Sequence, residues 1–279
     1  MISRLDRLLI ALAFAFATLS ATSTFAQGAP AGQAVARQQG EAKPSVAVAP
    51  APVRDLTGDW HGVPEPPRLN QNAQMTAWGQ AIFDARKTMG KGLVGNSNDP
   101  MVKCDPLGFP RDVLWETRGL EFIQLPRKVV MLSQYQRVWR EVWNDGRPLP
   151  TRDTVSKADE LLSEPRYYGY SIGHWADDYT FMVDTANLDE DTWVDEFGHP
   201  HSEDAHVKEE YHRADHDTLQ VTVTIDDPKA YKVPFVVADK IIYKWNPRQE
   251  LDEQLCIPSA AEQYFNAIAG PAAADKDKK

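Results

Sequence analysis

Cysteine is close to absent: Cys104 and Cys256 are the only two in 279 residues. With no Cys-x-x-Cys unit, covalent haem attachment is excluded, and other local signatures of familiar chemistry are missing as well. The chain has no nucleophile elbow, phosphate-binding loop, dinucleotide fingerprint or His-Glu-x-x-His pair. Positive charge is short too: 30 Lys and Arg face 40 Asp and Glu, a formal net charge of −10. Nucleic-acid binders need clustered Lys and Arg on one face, so that class is excluded. The same balance argues against adsorption to anionic lipid. The one long apolar run, Leu8 to Leu19, is too short to span a bilayer comfortably.

That run instead reads as part of an export signal over residues 1–26. Arg4 and Arg7 form its positive start, and Thr24-Phe25-Ala26 offers a small-residue cleavage site before Gln27. Cleavage takes the charged residues from 30 basic and 40 acidic to 28 and 39, or −11. No cysteine follows the site to carry a lipid, so the expected mature protein is periplasmic or secreted, with no membrane attachment. In an oxidising compartment the two cysteines read as one disulfide. It would close a loop of about 150 residues and contribute up to ~4–5 kcal/mol through loop-closure entropy.

Residues 27–54, rich in Ala, Pro, Gln and Gly, read as a disordered linker because they cannot bury enough apolar surface to order themselves. Residues 55–259 form the expected single β-rich domain, and 260–279 a tail with a short helix and a disordered end from 272. A helix is predicted over 73–90, where Met75, Trp78, Ile82, Ala85 and Met89 share one face. Asn72 is its predicted cap and Gly90-Lys91-Gly92 its stop. Beyond Cys104 the period changes to two. Strands are predicted at 120–125, 128–135, 137–143, 167–174, 179–185, 205–213, 218–225, 231–237, 239–245 and 249–256, separated by turn residues such as Asn144-Asp145-Gly146. Many short strands with close turns mean a mainly β fold, an antiparallel barrel or closed sandwich. Gly58-Asp59-Trp60 is the kind of Gly-x-Trp opening seen in lipocalin-like barrels, where the Trp plugs one end.

Titratable groups concentrate between Asp195 and Asp227, where five of the seven histidines lie. His199, His201 and His206, close to Glu203, Asp204 and Glu209, have the donor types for zinc or copper. In the strand that follows, alternation places Val207, Glu209, Tyr211 and Arg213 on one face. A buried charge persists when paired, so an inward Glu209 and Arg213 would form a structural clasp or grip a polar ligand. Arg140, between Trp139 and Trp143, has the neighbours to stack or to pair with a carboxylate. Tyr167 to Trp175 is aromatic and punctuated by Gly169 and Gly173, which suits barrel curvature or close approach of another group.

Six segments in order, Cys104-Asp105-Pro106-Leu107-Gly108-Phe109-Pro110-Arg111, Asp145-Gly146-Arg147, Ser171-Ile172-Gly173-His174-Trp175, Val183-Asp184-Thr185, Gly198-His199-Pro200-His201-Ser202 and Thr224-Ile225-Asp226-Asp227-Pro228-Lys229, carry a resemblance. From about Leu56 to Cys256 the chain resembles a large group of exported bacterial proteins of uncharacterised function. The resemblance implies functional weight at His201, His206, Glu209, the aromatic Tyr211 and Arg213, with His199 less regular. The chain departs from the group's pattern at Glu141 and Tyr170, where Arg and His are usual.

These readings converge on an exported barrel that binds a small molecule. Trp60, Trp175 and Tyr211 would supply stacking surface, Glu209, Arg213 and Arg140 would fix a polar group, and His201 and His206 would stand on a loop over the opening. The alternative is a hydrolase or lyase in which His201, His206 and Glu209 act, as general base or through a metal held by His199, His201 and His206. A structural protein without a ligand is the third reading.

Overall fold

The alternating segments form nine strands that close on themselves into a barrel in chain order. They are β1 (Gly58–Gly62), β2 (Leu120–Gln124), β3 (Lys128–Ser133), β4 (Trp139–Trp143), β5 (Tyr170–Trp175), β6 (Thr180–Ala186), β7 (His206–Asp215), β8 (Thr218–Asp226) and β9 (Phe235–Trp245). The computed structural model describes residues 49–63, 68–89, 94–115, 119–150, 154 and 161–276. The export signal and residues 27–48 of the linker lie outside them. Among the described residues no helix is long and apolar enough to cross a membrane.

Closure with an odd number of strands has a topological consequence. Going once round the ring, direction cannot alternate at every step and return to its starting sense, so at least one neighbouring pair must be parallel. That pair is β4–β5, and every other pairing is antiparallel, including the β1–β9 closure. The expected antiparallel barrel is therefore mixed at one seam. A parallel pair also needs a long crossover, which residues 144–169 provide. The seam is short, with Val142 opposite Ser171 and Trp143 opposite Ile172. Gly173 keeps it closed at its far end, because a Cβ there would come within 2.5 Å of Phe181 and 2.8 Å of Val142.

Period-two alternation builds the core. Leu219, Val221, Val223 and Ile225 of β8 are fully buried, as are Val207 and Tyr211 of β7 and Phe181 and Val183 of β6. Each such side chain is worth about 1.5–3 kcal/mol when fully withdrawn from water. Trp60 is also fully buried, its indole N–H donating to the Leu56 carbonyl at 2.8 Å.

The differences from the sequence reading have local causes. The strands predicted at 231–237 and 239–245 are one strand, β9. Asp239 and Lys240 interrupt its alternation as a bulge opposite Thr222, with Lys240 at φ 54° and its N–H donating to Thr222 Oγ1 at 3.1 Å. No strand forms at 249–256 beyond the isolated Tyr135–Gln254 bridge, because β1 and β9 already close the ring and leave no edge to join. Helix α1 (Ala77–Ala85) starts later than predicted, at Thr76, whose Oγ1 accepts from the Gly79 N–H at 3.1 Å. Met75 is held in a bridge to Tyr231, so the turn capped by Asn72 does not form. The predicted Gly90-Lys91-Gly92 stop lies outside the described residues.

A short α2 (Arg111–Leu114) is wholly buried. After Cys256 the chain is helical through α3 (Pro258–Tyr264), a π-helical turn (Phe265–Ala269) and α4 (Gly270–Lys276). The tail expected to be disordered from 272 is thus helical to 276, with Ala269 and Ala273 buried. The described end of the linker is also seated: the Ala49 carbonyl accepts from His216 N–H, and Arg54 N–H donates to the Asp178 carbonyl.

Cys104 and Cys256 form a disulfide with a sequence separation of 152. A Cys104→Ser/Cys256→Ser variant is expected to lose up to about 4 kcal/mol of stability. Urea denaturation of the oxidised parent and of the variant measures it, and equal midpoints would contradict the assignment.

Candidate functional site

The mostly apolar barrel interior holds a buried ion-pair cluster. Glu209, fully buried on β7, accepts from Arg140 Nη2 at 2.9 Å on Oε1 and 2.7 Å on Oε2, and the Tyr211 hydroxyl donates to Oε1. Arg140 projects inward from β4, its guanidinium carbon 4.0 Å from the Phe109 ring centre. Burial alone would lower the pKa of Arg140, but the charge of Glu209 and its hydrogen bond outweigh that and raise it, so the guanidinium stays charged. Burial, together with the charge of Glu209 and the hydrogen bond to it, pushes the Tyr211 phenol well above its usual range against the opposing charge of Arg140.

Asp112, from α2, belongs to the cluster. Its Oδ2 accepts from the Ser133 hydroxyl, and its charge is felt by Arg140, Tyr168 and Tyr243. Burial raises its carboxyl from the ordinary 3.8 to about 6, opposed by the Ser133 hydrogen bond and by Arg140. Two buried polar atoms here, Arg140 Nη1 and Asp112 Oδ1, find no hydrogen-bond partner among the described residues. One is a donor and the other an acceptor.

One member of the cluster, Arg140, also borders a cleft at the parallel seam. Where β4 and the approach to β5 diverge, a cleft of about 360 Å³ opens, walled by Trp139, Arg140 and Glu141 on one side and by Tyr168, Tyr170 and Ser171 on the other. Arg147 and Arg166 flank it. Arg147 lies over the Trp143 ring at 3.6 Å, donates to the Tyr170 hydroxyl at 3.0 Å, and grips Asp145 through Nε and Nη2 at 2.8 Å each. Arg127 joins the same carboxylate at 2.8 Å. Hydrogen bonds from both arginines hold Asp145 far below the usual carboxylate range. Lys128 pairs with Glu141 on the outer face.

The other residues singled out from the sequence are distributed differently. Arg213 is buried on the same face as Glu209 but does not pair with it. It donates to the carbonyls of Asp55 and His216 at 2.5 and 2.7 Å and lies 4.9 Å from the Trp60 ring. Trp60, with no exposed surface, offers nothing to a ligand, and Trp175 packs on Phe181 at 5.2 Å.

The three histidines do not meet. His199 is buried between Phe83 and Phe235, with Nδ1 2.6 Å from Asp195 Oδ2. His201 is buried 2.7 Å from Thr192 Oγ1, and burial brings its pKa down to about 4, so it is neutral at neutral pH. His206 opens β7 on its exposed outer face. The expected imidazole flap over a shared opening is therefore absent, and among the described residues no group of three His, Cys, Asp or Glu could hold a metal ion. The zinc or copper set of His199, His201 and His206 is corrected on that ground: strand alternation turns His206 outward while the preceding loop is packed inward.

Asp112, Ser133, Arg147 and Arg166 were not singled out from the sequence. The Trp139-Arg140-Trp143 run leading into Asp145-Gly146-Arg147 held the usable signal for Arg147, and nothing local marks Asp112. No family model, curated protein or solved structure matches the chain.

Two outcomes follow from the cluster. Glu209→Gln leaves Arg140 buried without its counter-charge and is expected to cost about 3–5 kcal/mol, whereas Glu209→Leu/Arg140→Met recovers most of that loss. Chemical denaturation of the three proteins checks the ordering. For Asp112, the folded protein holds the proton more tightly than the unfolded chain between 3.8 and about 6. Its stabilising effect is complete below that window and is lost as pH rises through about 6. The Asp112→Asn variant should therefore gain roughly 2.5 kcal/mol on the parent between pH 4 and pH 7.5. A gap that does not change with pH would place the proton elsewhere.

Proposed function

We propose that this chain is an exported protein that binds a small polar molecule in the cleft at the β4–β5 seam. The entrance is lateral, through the wall of the barrel, and not at an axial mouth. One observation carries the reading: Arg140 is both a wall of the cleft and a member of the buried cluster, and its Nη1 finds no partner among the described residues. A guanidinium held by a buried carboxylate is pre-oriented, so Arg140 gives the cleft a fixed cationic wall that favours an acceptor-rich ligand without the cost of ordering a long side chain. The cleft lies at the lower end of the roughly 300–1,000 Å³ typical of ligand sites. The disulfide, together with the charged start and apolar run of residues 1–26, supports export. The six ordered segments support membership of the exported bacterial group that the chain resembles.

A thermal-shift screen against sugars, sugar acids, amino acids and small carboxylates tests the reading. At least one compound is expected to raise the melting temperature of the parent by several degrees and to leave the Arg147→Ala/Arg166→Ala variant unmoved. Compounds that stabilise both proteins equally, or a panel with no stabilising compound, would overturn it.

A further inference from the structure

The seam cleft does not end at Arg147. A second cavity of about 640 Å³ shares Arg147, Leu162 and Tyr170 with it and runs on past Asp145 and Pro148 to Arg127. Together the two form one groove across the outside of the barrel. Among the described residues four arginines (Arg127, Arg140, Arg147 and Arg166) stand in its walls against Glu141 and Asp145, and the balance is +2 with Glu209, the partner of Arg140, and Lys128, the partner of Glu141, included. The whole chain carries −10, so this is a cationic groove on an acidic protein. It suits a negatively charged ligand.

The walls also say what the charge is attached to. Trp139 stands at the groove 68% exposed, so a flat aromatic face is open to a ligand there. The inner cleft is otherwise lined by arginines, by Glu141, by Trp143, whose ring is covered by Arg147 at 3.6 Å, by Tyr168 and Tyr170, and by Gly169 and Ser171, with Leu162 its one aliphatic side chain among the described residues. An aromatic acid would need an apolar slot to enclose its ring. A sugar ring needs one flat aromatic face and hydrogen-bonding groups around its edge, and that is the pattern present. Arg166, 5.9 Å from the Tyr170 ring, donates to the Leu161 carbonyl and has no ion pair with a described residue. Its exposed guanidinium suits a carboxylate in the fork geometry that the two groups share.

From this we infer that the ligand of the seam site is a short acidic oligosaccharide. One ring stacks on Trp139, its carboxylate reaches Arg166, and a following unit crosses Arg147 into the second cavity. The inference rests on the binding function proposed above and narrows it to a chemical class.

Titration calorimetry with trigalacturonate, maltotriose and benzoate decides it. Trigalacturonate is expected to bind saturably and maltotriose not at all. Trp139→Ala and Arg166→Ala should each weaken trigalacturonate roughly tenfold with unchanged melting temperatures, as both side chains lie at the groove's surface. Equal binding of trigalacturonate and maltotriose, no binding of trigalacturonate, or indifference to both substitutions overturns the assignment. Benzoate binding that depends on Arg166 while trigalacturonate fails would overturn the sugar class and leave the binding function standing.

Discussion

The structure depends on a constraint of closure. Nine strands joined in order cannot all run against their neighbours, so one pair must run together. A hairpin cannot make that pair, and the long connection it needs delivers Arg147 and Arg166 to the same place. A short parallel ladder also leaves the adjoining backbone unpaired, and the barrel wall parts where β4 meets the approach to β5. The cleft follows from strand number and chain order before any side chain is considered.

The side chains then make the gap specific. Arg140 has its counter-charge on β7, across the interior from β4, so the pair ties opposite walls of the barrel as well as holding a guanidinium at the cleft. Desolvating both charges costs several kcal/mol per ion, and the gain repays this only with good geometry and added hydrogen bonds. Two bonds from Arg140 and one from Tyr211 meet that requirement at Glu209. Asp112, satisfied at one oxygen by Ser133, gives the same cluster a carboxyl that changes charge near pH 6.

The sequence carried much of this and missed the rest for physical reasons. Alternation in β8 was legible because every inward position is aliphatic, and the disulfide because only two cysteines exist. The bulge at Asp239-Lys240 made one strand look like two, since a break in period is also how a turn reads. The inward face of β7 was legible, but the partner of Glu209 was not. Arg213 is the cation visible four residues on along that face, whereas Arg140 is 69 residues away and meets Glu209 only because the sheet closes. The histidine loop read as a flap over an opening because it is polar. In the structure its polar groups satisfy one another: Asp195 serves His199, Thr192 serves His201, and Asp227 accepts from both the backbone and the hydroxyl of Ser202. No local pattern distinguishes such a packed loop from a wet one.

The Cys104–Cys256 bond makes a covalent ring of the chain between them. Eight strands, β2 to β9, lie inside that ring, and β1 lies outside it. A single peptide cleavage between 104 and 256 would release no fragment. The stave that completes the cylinder, by contrast, is held by backbone pairing to β2 and β9 and by the burial of Trp60, with no share in the covalent ring. Fraying would begin at that N-terminal stave, with the bonded ring still intact behind it.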